Sequence, residues 1–323
     1  MTVRTMRIAS LWVAWFFFTG GGHVSAAELL RWQWRPGAQW ESELKQTIDQ
    51  ETTVGQRVVT LSGTQRIVMQ YTVDEVASDG VAKVLLMVQR LQLNLDLGNL
   101  GKIEFDSDLD KEPAGLTTAL AGPFRALVGA KITQRMAADG KVLEFELPDD
   151  VRQSIESNPL ARQMFFQGIM SELAGKASLP LPEGQVEMGQ EWKSEGKIST
   201  ELGDTPVTTI YRYRGKAAKA TGNLDIIDVR VELGAFPPEL VAQTPMKLVE
   251  QNGQGTVWFD NQLGRLSSAH FEQLQTIEIG KDDQQITQKL RKTTDVNIKL
   301  PTAEALPTEA PATTPPPAVP PAE

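Results

Sequence analysis

The chain has no cysteine and only two histidines in 323 residues. Without a thiol there is no disulfide framework, no Cys–His nucleophile pair and no thiolate metal site, so core burial alone must hold the fold. His23 lies in the leader described below, which leaves His270 as the only imidazole of the mature chain. One histidine cannot supply a two-histidine zinc site or the usual copper sets, and no G-x-S-x-G elbow accompanies it for serine chemistry. His270 is expected on a strand surface. Basic charge is also short: 32 Lys and Arg face 41 Asp and Glu, a formal net charge of −9. Nucleic acid is therefore excluded as a partner, since phosphate binding needs a basic face. Beyond the first twenty residues no apolar run is long enough to cross a bilayer, so no transmembrane helix is expected in the mature chain.

The ends are distinctive. Arg4 and Arg7, the apolar run Ile8 to Phe18 and Val24-Ser25-Ala26 have the pattern of a secretory signal over residues 1–26. Its removal takes away two arginines and moves the charge from −9 to −11. The protein is thus expected to be exported, to the periplasm or outside the cell. Residues 301–323 hold eight prolines among alanine, threonine and glutamate. Such a segment cannot bury enough surface to offset its ordering entropy, and it is expected to be a disordered tail that could hold an envelope protein partner at a distance.

A short signature occurs twice. Gly37, Trp40, Ser42 and Glu43 spell G-x-x-W-x-S-E, and Gly189, Trp192, Ser194 and Glu195 spell it again. F-D-x-x-L follows each copy, as Phe105-Asp106 with Leu109 and as Phe259-Asp260 with Leu263, 65 and 67 residues after the tryptophan. Two ordered motifs at near-constant spacing indicate a duplicated β-rich unit.

The body alternates with period two. Leu91, Leu93 and Leu95 alternate with Arg90, Gln92 and Asn94, while Val84, Leu86 and Val88 add a stretch expected to be covered on both faces. Ile227, Val229 and Val231 alternate with Asp228, Arg230 and Glu232, and Ile286, Leu290, Val296 and Ile298 with Lys289, Arg291, Asp295 and Lys299. Asp79-Gly80, Asp139-Gly140 and Thr221-Gly222-Asn223 mark hairpin turns, so the sheets should be antiparallel. Helical signals lie at Leu116 to Leu127, broken by Pro123; at 150–157; at Asn158-Pro159 followed by the stripe Leu160, Met164, Phe165, Ile169, Leu173; and, weakly, at Pro238 to Glu250. The fold class expected is α+β, mainly antiparallel β: two tandem strongly curved sheets, or half-barrels, each packed on helix and joined by a helical segment. The units are 27–147 and 183–300, with connecting helices at 148–182.

Few residues invite a chemical reading. Asp106, Asp108, Asp110 and Glu112 begin like a calcium loop, but Lys111 stands where glycine is required and Thr117 where glutamate is, so the match fails. No pair of carboxylates is placed by any motif for hydrolysis. Trp40 and Trp192 most simply plug one end of each unit's core, with the indole N–H on a carbonyl. Alternatively they stand at the mouth of an apolar cavity between sheet and helix. Leu30, Trp32 and Trp34 read as a first sheet strand, or as an edge for partner docking.

The G-x-x-W strand, Phe105-Asp106-Ser107, Leu127-Val128-Gly129, Asp139-Gly140-Lys141-Val142, Leu179-Pro180-Leu181-Pro182 and Gly264-Arg265-Leu266 together resemble an uncharacterised family of exported bacterial proteins, a domain of unknown function. At fold level the chain is similar to the half-barrel lipoprotein carriers of the bacterial envelope. That resemblance implies a curved sheet over an apolar cavity and supplies no catalytic, cofactor or metal residues. The function expected is a non-enzymatic envelope protein that binds an apolar, lipid-like ligand or a protein partner, without a cofactor. The alternatives are a structural or assembly module with no cavity and a carboxylate-dependent hydrolase.

Overall fold

The computed structural model describes residues 27–109, 111–164, 179–200, 203–219, 222–280 and 285–300. The strands are β1 (Gln39–Val54), β2 (Arg57–Val76), β3 (Ala82–Asp96), β4 (Lys102–Asp106), β5 (Lys131–Met136) and β6 (Val142–Glu146), then β7 (Glu191–Thr200), β8 (Gly203–Lys219), β9 (Gly222–Leu233), β10 (Met246–Asp260), β11 (Arg265–Ile279) and β12 (Ile286–Lys299). The helices among the described residues are α1 (Leu116–Leu127), α2 (Asp149–Glu156), α3 (Pro159–Met164) and α4 (Pro238–Gln243).

All twelve strands belong to one open antiparallel sheet in the order β6-β5-β3-β2-β1-β12-β11-β10-β9-β8-β7, with β4 also paired to β3. This corrects the expectation of two tandem half-barrels. The two halves meet strand to strand, because β12 returns to pair with β1 in register from Glu41↔Lys299 to Val54↔Ile286. Opposite charges face each other along that seam on the outer face: Glu41 with Lys299, Lys45 with Asp295, Asp49 with Arg291 and Glu51 with Lys289. Each such cross-strand pair adds roughly 0.2–1 kcal/mol, and together they specify the register.

Helices do not cover each half. α1, α2 and α3 pack on one another, and α1 also packs on β4, all in the first half. Leu120, Phe124 and Leu127 of α1 are fully buried. Pro123 does not break α1; proline removes the N–H that would have satisfied the Ala119 carbonyl, and the Asn158 side chain donates to that oxygen instead. Asn158 also accepts from the Ala161 N–H at 3.0 Å, capping α3. The apolar stripe expected to continue through Phe165, Ile169 and Leu173 lies outside the described residues. Among the described residues the principal packing of helix on strand is α1 on β4.

The sheet is strongly curved. β5 and β11 are five strand spacings apart, about 24 Å on a flat sheet, yet Gln134 and Met136 line the same 40 Å³ cavity as Arg265 and Leu266. One continuous core fills the concave side, from Val84, Leu86 and Leu91 through Leu44 and Val296 to Val257, Ile227 and Tyr213. β3 is not covered on both faces as expected. A bulge between the pairs Met69↔Val88 and Val68↔Arg90 makes Gln89 the extra residue. Its insertion switches the inward parity, so Val84, Leu86 and Val88 point inward before it and Leu91, Leu93 and Leu95 after it.

Residues 28–35 are not a strand of the sheet either. They form a strut across its concave side. Trp34 Nε1 donates to the Ala137 carbonyl at 3.1 Å near the β5–β6 turn, and Gln33 N donates to the Gly264 carbonyl at 3.0 Å in the β10–β11 turn. Trp32 stacks on Trp34 at 4.9 Å, meets Phe259 edge-on at 5.4 Å and donates to the Leu179 carbonyl at 2.9 Å. Both turns press closely on the strut: a Cβ at Gly140 would overlap the Trp32 indole, and one at Gly264 would overlap Gln33.

Candidate functional site

On the concave side of the second half, β8 to β12 enclose a cavity of 310 Å³. Paired residues of antiparallel strands share a face, so the registers map its wall. Nearest the core lies the row Val296, Ala269, Val257, Ile227; next come Thr294, Phe271, Gly255, Val229; then Lys292, Gln273, Gly253, Val231; then Leu290, Gln275, Gln251. The void borders β10 where Gly253 carries no side chain. The Phe271 ring lies over Gly255, where a Cβ would overlap it, and Gly253 leaves bare backbone beside Val231. Tyr211, paired with Val229, closes one side, and its burial pushes the phenol pKa up to about 12, so the ring is neutral wall.

The inner surface becomes more polar toward the rim. Val257, Leu266 and Ala269 form the deep end, Thr294, Phe271 and Val229 come next, and the part nearer the open rim mixes Gln251, Gln273, Gln275 and Lys292 with Val231 and Leu233. At the rim the inward positions turn apolar again, with Val54, Ile286, Ile279 and Met246 in register and Val54 45% exposed. The outer face of the same strands carries the charge, as the seam pairs show. Among the described residues no helix is long and apolar enough to cross a membrane, which says nothing of strands.

The two signature tryptophans have matching local geometry. Trp40 stacks on its cross-strand partner Tyr71 at 5.2 Å, and Trp192 on Tyr211 at 5.4 Å. Gly37 N donates to the Val73 carbonyl and Gly189 N to the Tyr213 carbonyl, both with positive φ. Trp192 Nε1 donates to the Pro180 carbonyl at 2.8 Å. Trp40 lines the 40 Å³ interstice beside Trp34, too small for a lipid chain, and Trp192 touches the 310 Å³ cavity only through Tyr211. The F-D-x-x-L copies differ: Phe105 pairs with Leu93 near the C-terminal end of β3, whereas Phe259 pairs with Asp225 near the N-terminal end of β9.

The remaining candidates are held by neighbours. His270 Nδ1 lies 2.7 Å from Asp295 Oδ1 on the outer face, and that carboxylate, helped by Glu272, raises the imidazole pKa. Asp106 takes two bonds from Arg90, at 2.8 and 3.1 Å, and one from Gln92 at 2.7 Å, which hold its carboxyl below the usual range. Asp108 pairs with the same arginine at 3.0 Å, and Asp110 lies outside the described residues. Asp225 is buried under the strut; burial raises its pKa, and the Tyr213 hydroxyl donates to it at 2.7 Å. The cavity residues Tyr211, Gly253, Phe271, Gln273 and Lys292 were not singled out by sequence. The signal available was Gly253 and Gly255 at alternate positions of one strand.

No protein-family model and no curated protein matched the chain. Among solved structures it is similar to lipovitellin, in a structure concerned with lipid–protein interactions, with a TM-score of 0.48 and 11% identity over 86% of this chain and 27% of that one. The chain therefore spans about a quarter of that relative's length. It is also similar to a protein from Bacteroides fragilis classed as exported with a YmcC-like fold (TM-score 0.23, 9% identity, 85% of this chain and 100% of that one). A third is an outer membrane channel from Pseudomonas putida F1 (0.23, 9%, 86% and 98%). At these scores the likenesses transfer no residue role and no activity.

Proposed function

We propose that this is an exported, non-enzymatic protein of the cell envelope that binds an apolar, lipid-like ligand on the concave face of its sheet. The observation that carries the reading is the 310 Å³ cavity over the glycine-bared stretch of β10. Its volume is at the low end of the roughly 300–1,000 Å³ usual for small-molecule sites, and its deep wall is valine, leucine, alanine and aromatic ring. A structural module would have filled this space with side chains. The single imidazole supports a non-catalytic reading: His270 projects from the outer face, opposite the cavity, and is tied to Asp295.

The test uses the chain purified from its own host. Organic extraction followed by mass spectrometry is expected to release a stoichiometric lipid. The extracted protein should bind the neutral apolar dye N-phenyl-1-naphthylamine and melt several degrees higher with it, because a ligand held only by the folded state adds about 2.7 kcal/mol at a hundredfold excess over Kd. Absence of both a co-purified lipid and dye stabilisation would leave the assembly-module reading.

A further inference from the structure

We infer that a second cavity, on the concave side of the first half, binds an anionic group, phosphate or carboxylate, between Arg125 and Gln65. This cavity holds 990 Å³ between α1 and the inward residues Gln46, Gln65, Leu93 and Phe105 of β1 to β4. The inference does not depend on what the second-half cavity takes up.

Gln65 supplies an unused donor. It is 8% exposed, and the inward residues beside it on β1, β2 and β3, Leu44, Ile67, Leu91 and Leu93, are buried hydrocarbon. Its Nε2 has no acceptor among the described residues. Gln46, paired with it across β1 and β2, turns its own amide to Thr294 and donates to Oγ1 at 3.1 Å. A buried donor left unpaired costs stability that leucine at this position would not, so the fold alone gives no reason for the amide.

Arg125 supplies the charge. It borders the cavity from α1, exposed, and its guanidinium is in no ion pair among the described residues. The carboxylates that border the cavity are placed elsewhere. Phe105 faces inward with Leu93, so Glu104 and Asp106 face outward, where Lys111 holds the first at 3.4 Å and Arg90 the second at 2.8 Å. Glu112 precedes the opposite end of α1, and Arg125 lies nine residues beyond Leu116, about 14 Å along the axis. Lys45, Arg66 and Lys102 are likewise outward, held by Glu43 and Asp96. A water molecule would satisfy the Gln65 amide alone. An anion accepts from the amide and pairs with the guanidinium at once, and hydrogen bonds assisted by charge are the stronger kind. A soluble phosphate or carboxylate and the head of a lipid share this chemistry, and the test separates them.

The experiment is isothermal titration of the delipidated full chain at pH 8 and constant ionic strength with methyl phosphate, acetate and dodecyl phosphate, the last below its critical micelle concentration. Arg125→Gln and Gln65→Leu are each expected to weaken binding about tenfold, and the tighter of methyl phosphate and acetate names the anion. Dodecyl phosphate that binds at least tenfold tighter than methyl phosphate, with the same dependence on Arg125, makes the source a lipid head. Without that dependence its chain is held in the second-half cavity, and the anion bound here is soluble. Gln65→Leu should unfold in urea at the same concentration as the parent protein or a higher one, because it removes an unpaired donor; a lower midpoint would mean that the amide serves the fold and would overturn its part in the site. If none of the three compounds binds with a dependence on both residues, the inference is overturned.

Discussion

Glu43 and Glu195 occupy the same place in the two signature copies, yet removing them should have very different consequences. Glu43 sits on β1 at the seam, its side chain 9% exposed, 2.6 Å from Arg66 Nε, 3.3 Å from Lys45 Nζ and 3.3 Å from Lys299 Nζ. The Arg66 hydrogen bond, opposed by burial and reinforced by Lys299 and Lys45, lowers its pKa from 4.5 to about 2. At roughly 1.4 kcal/mol per pH unit, that depression corresponds to about 3 kcal/mol of native-state stability. Because the folded pKa lies below the unfolded one, this contribution is complete above pH 4.5 and disappears as pH falls from 4.5 to about 2. Glu43→Gln removes the charge and keeps the shape. Its three cationic partners are 32–59% exposed and can be rehydrated, so the net loss at pH 7 should be about 2–3 kcal/mol. Glu195→Gln lies on β7, an edge strand in water, and should stay within about 0.5 kcal/mol. Urea unfolding followed by tryptophan fluorescence, at pH 7 and stepwise down to pH 2.5, measures both. The reasoning is refuted if Glu43→Gln costs no more than Glu195→Gln at pH 7, or if the gap between Glu43→Gln and the parent protein does not narrow below pH 4.5.

Val231→Phe directs a larger ring into the 310 Å³ cavity and should abolish dye binding with the melting temperature unchanged or raised, as read by titration and thermal melt on one sample. Trp32→Ala removes an indole 8% exposed from the strut and should destabilise by about 3–5 kcal/mol, measured by urea unfolding; a loss below 1 kcal/mol would mean that the strut does not tie the sheet together. His270 has a raised folded pKa, so the stability it contributes is complete below about pH 6.5 and lost as pH rises through the folded value. Parallel melts of His270→Asn and the parent protein should therefore differ most at pH 5.5 and converge at pH 9.

Local features were legible in the sequence because local chemistry decides them. The Asp79-Gly80 and Asp139-Gly140 turns, the α2 segment and the Asn158-Pro159 helix start all depend on residues within a turn of one another, and they form where expected. The number of sheets was not legible, because an unpaired strand edge carries no record of the strand that will meet it. Glu41 and Lys299 are partners across nearly the whole chain, and only the complementary charges of β1 and β12 hinted at it. The two apolar parities in β3 were misread for a similar reason: one inserted residue, Gln89, looks in sequence like a strand covered on both faces. Trp40 and Trp192 stood out because they repeat, whereas the cavity borders backbone left bare at Gly253, and the alternate glycines 253 and 255 were its one local sign in the sequence.

The return of β12 to β1 also governs how the molecule is made. On a chain emerging from its N-terminus, β1 has β2 as an early neighbour, but its other edge stays open until β12 has been delivered. Closing a loop of that length is slow, and an open edge is a template for pairing with another chain. Nascent protein is therefore prone to self-association until β12 is in place, and deleting β12 should yield aggregates, not a smaller soluble fold.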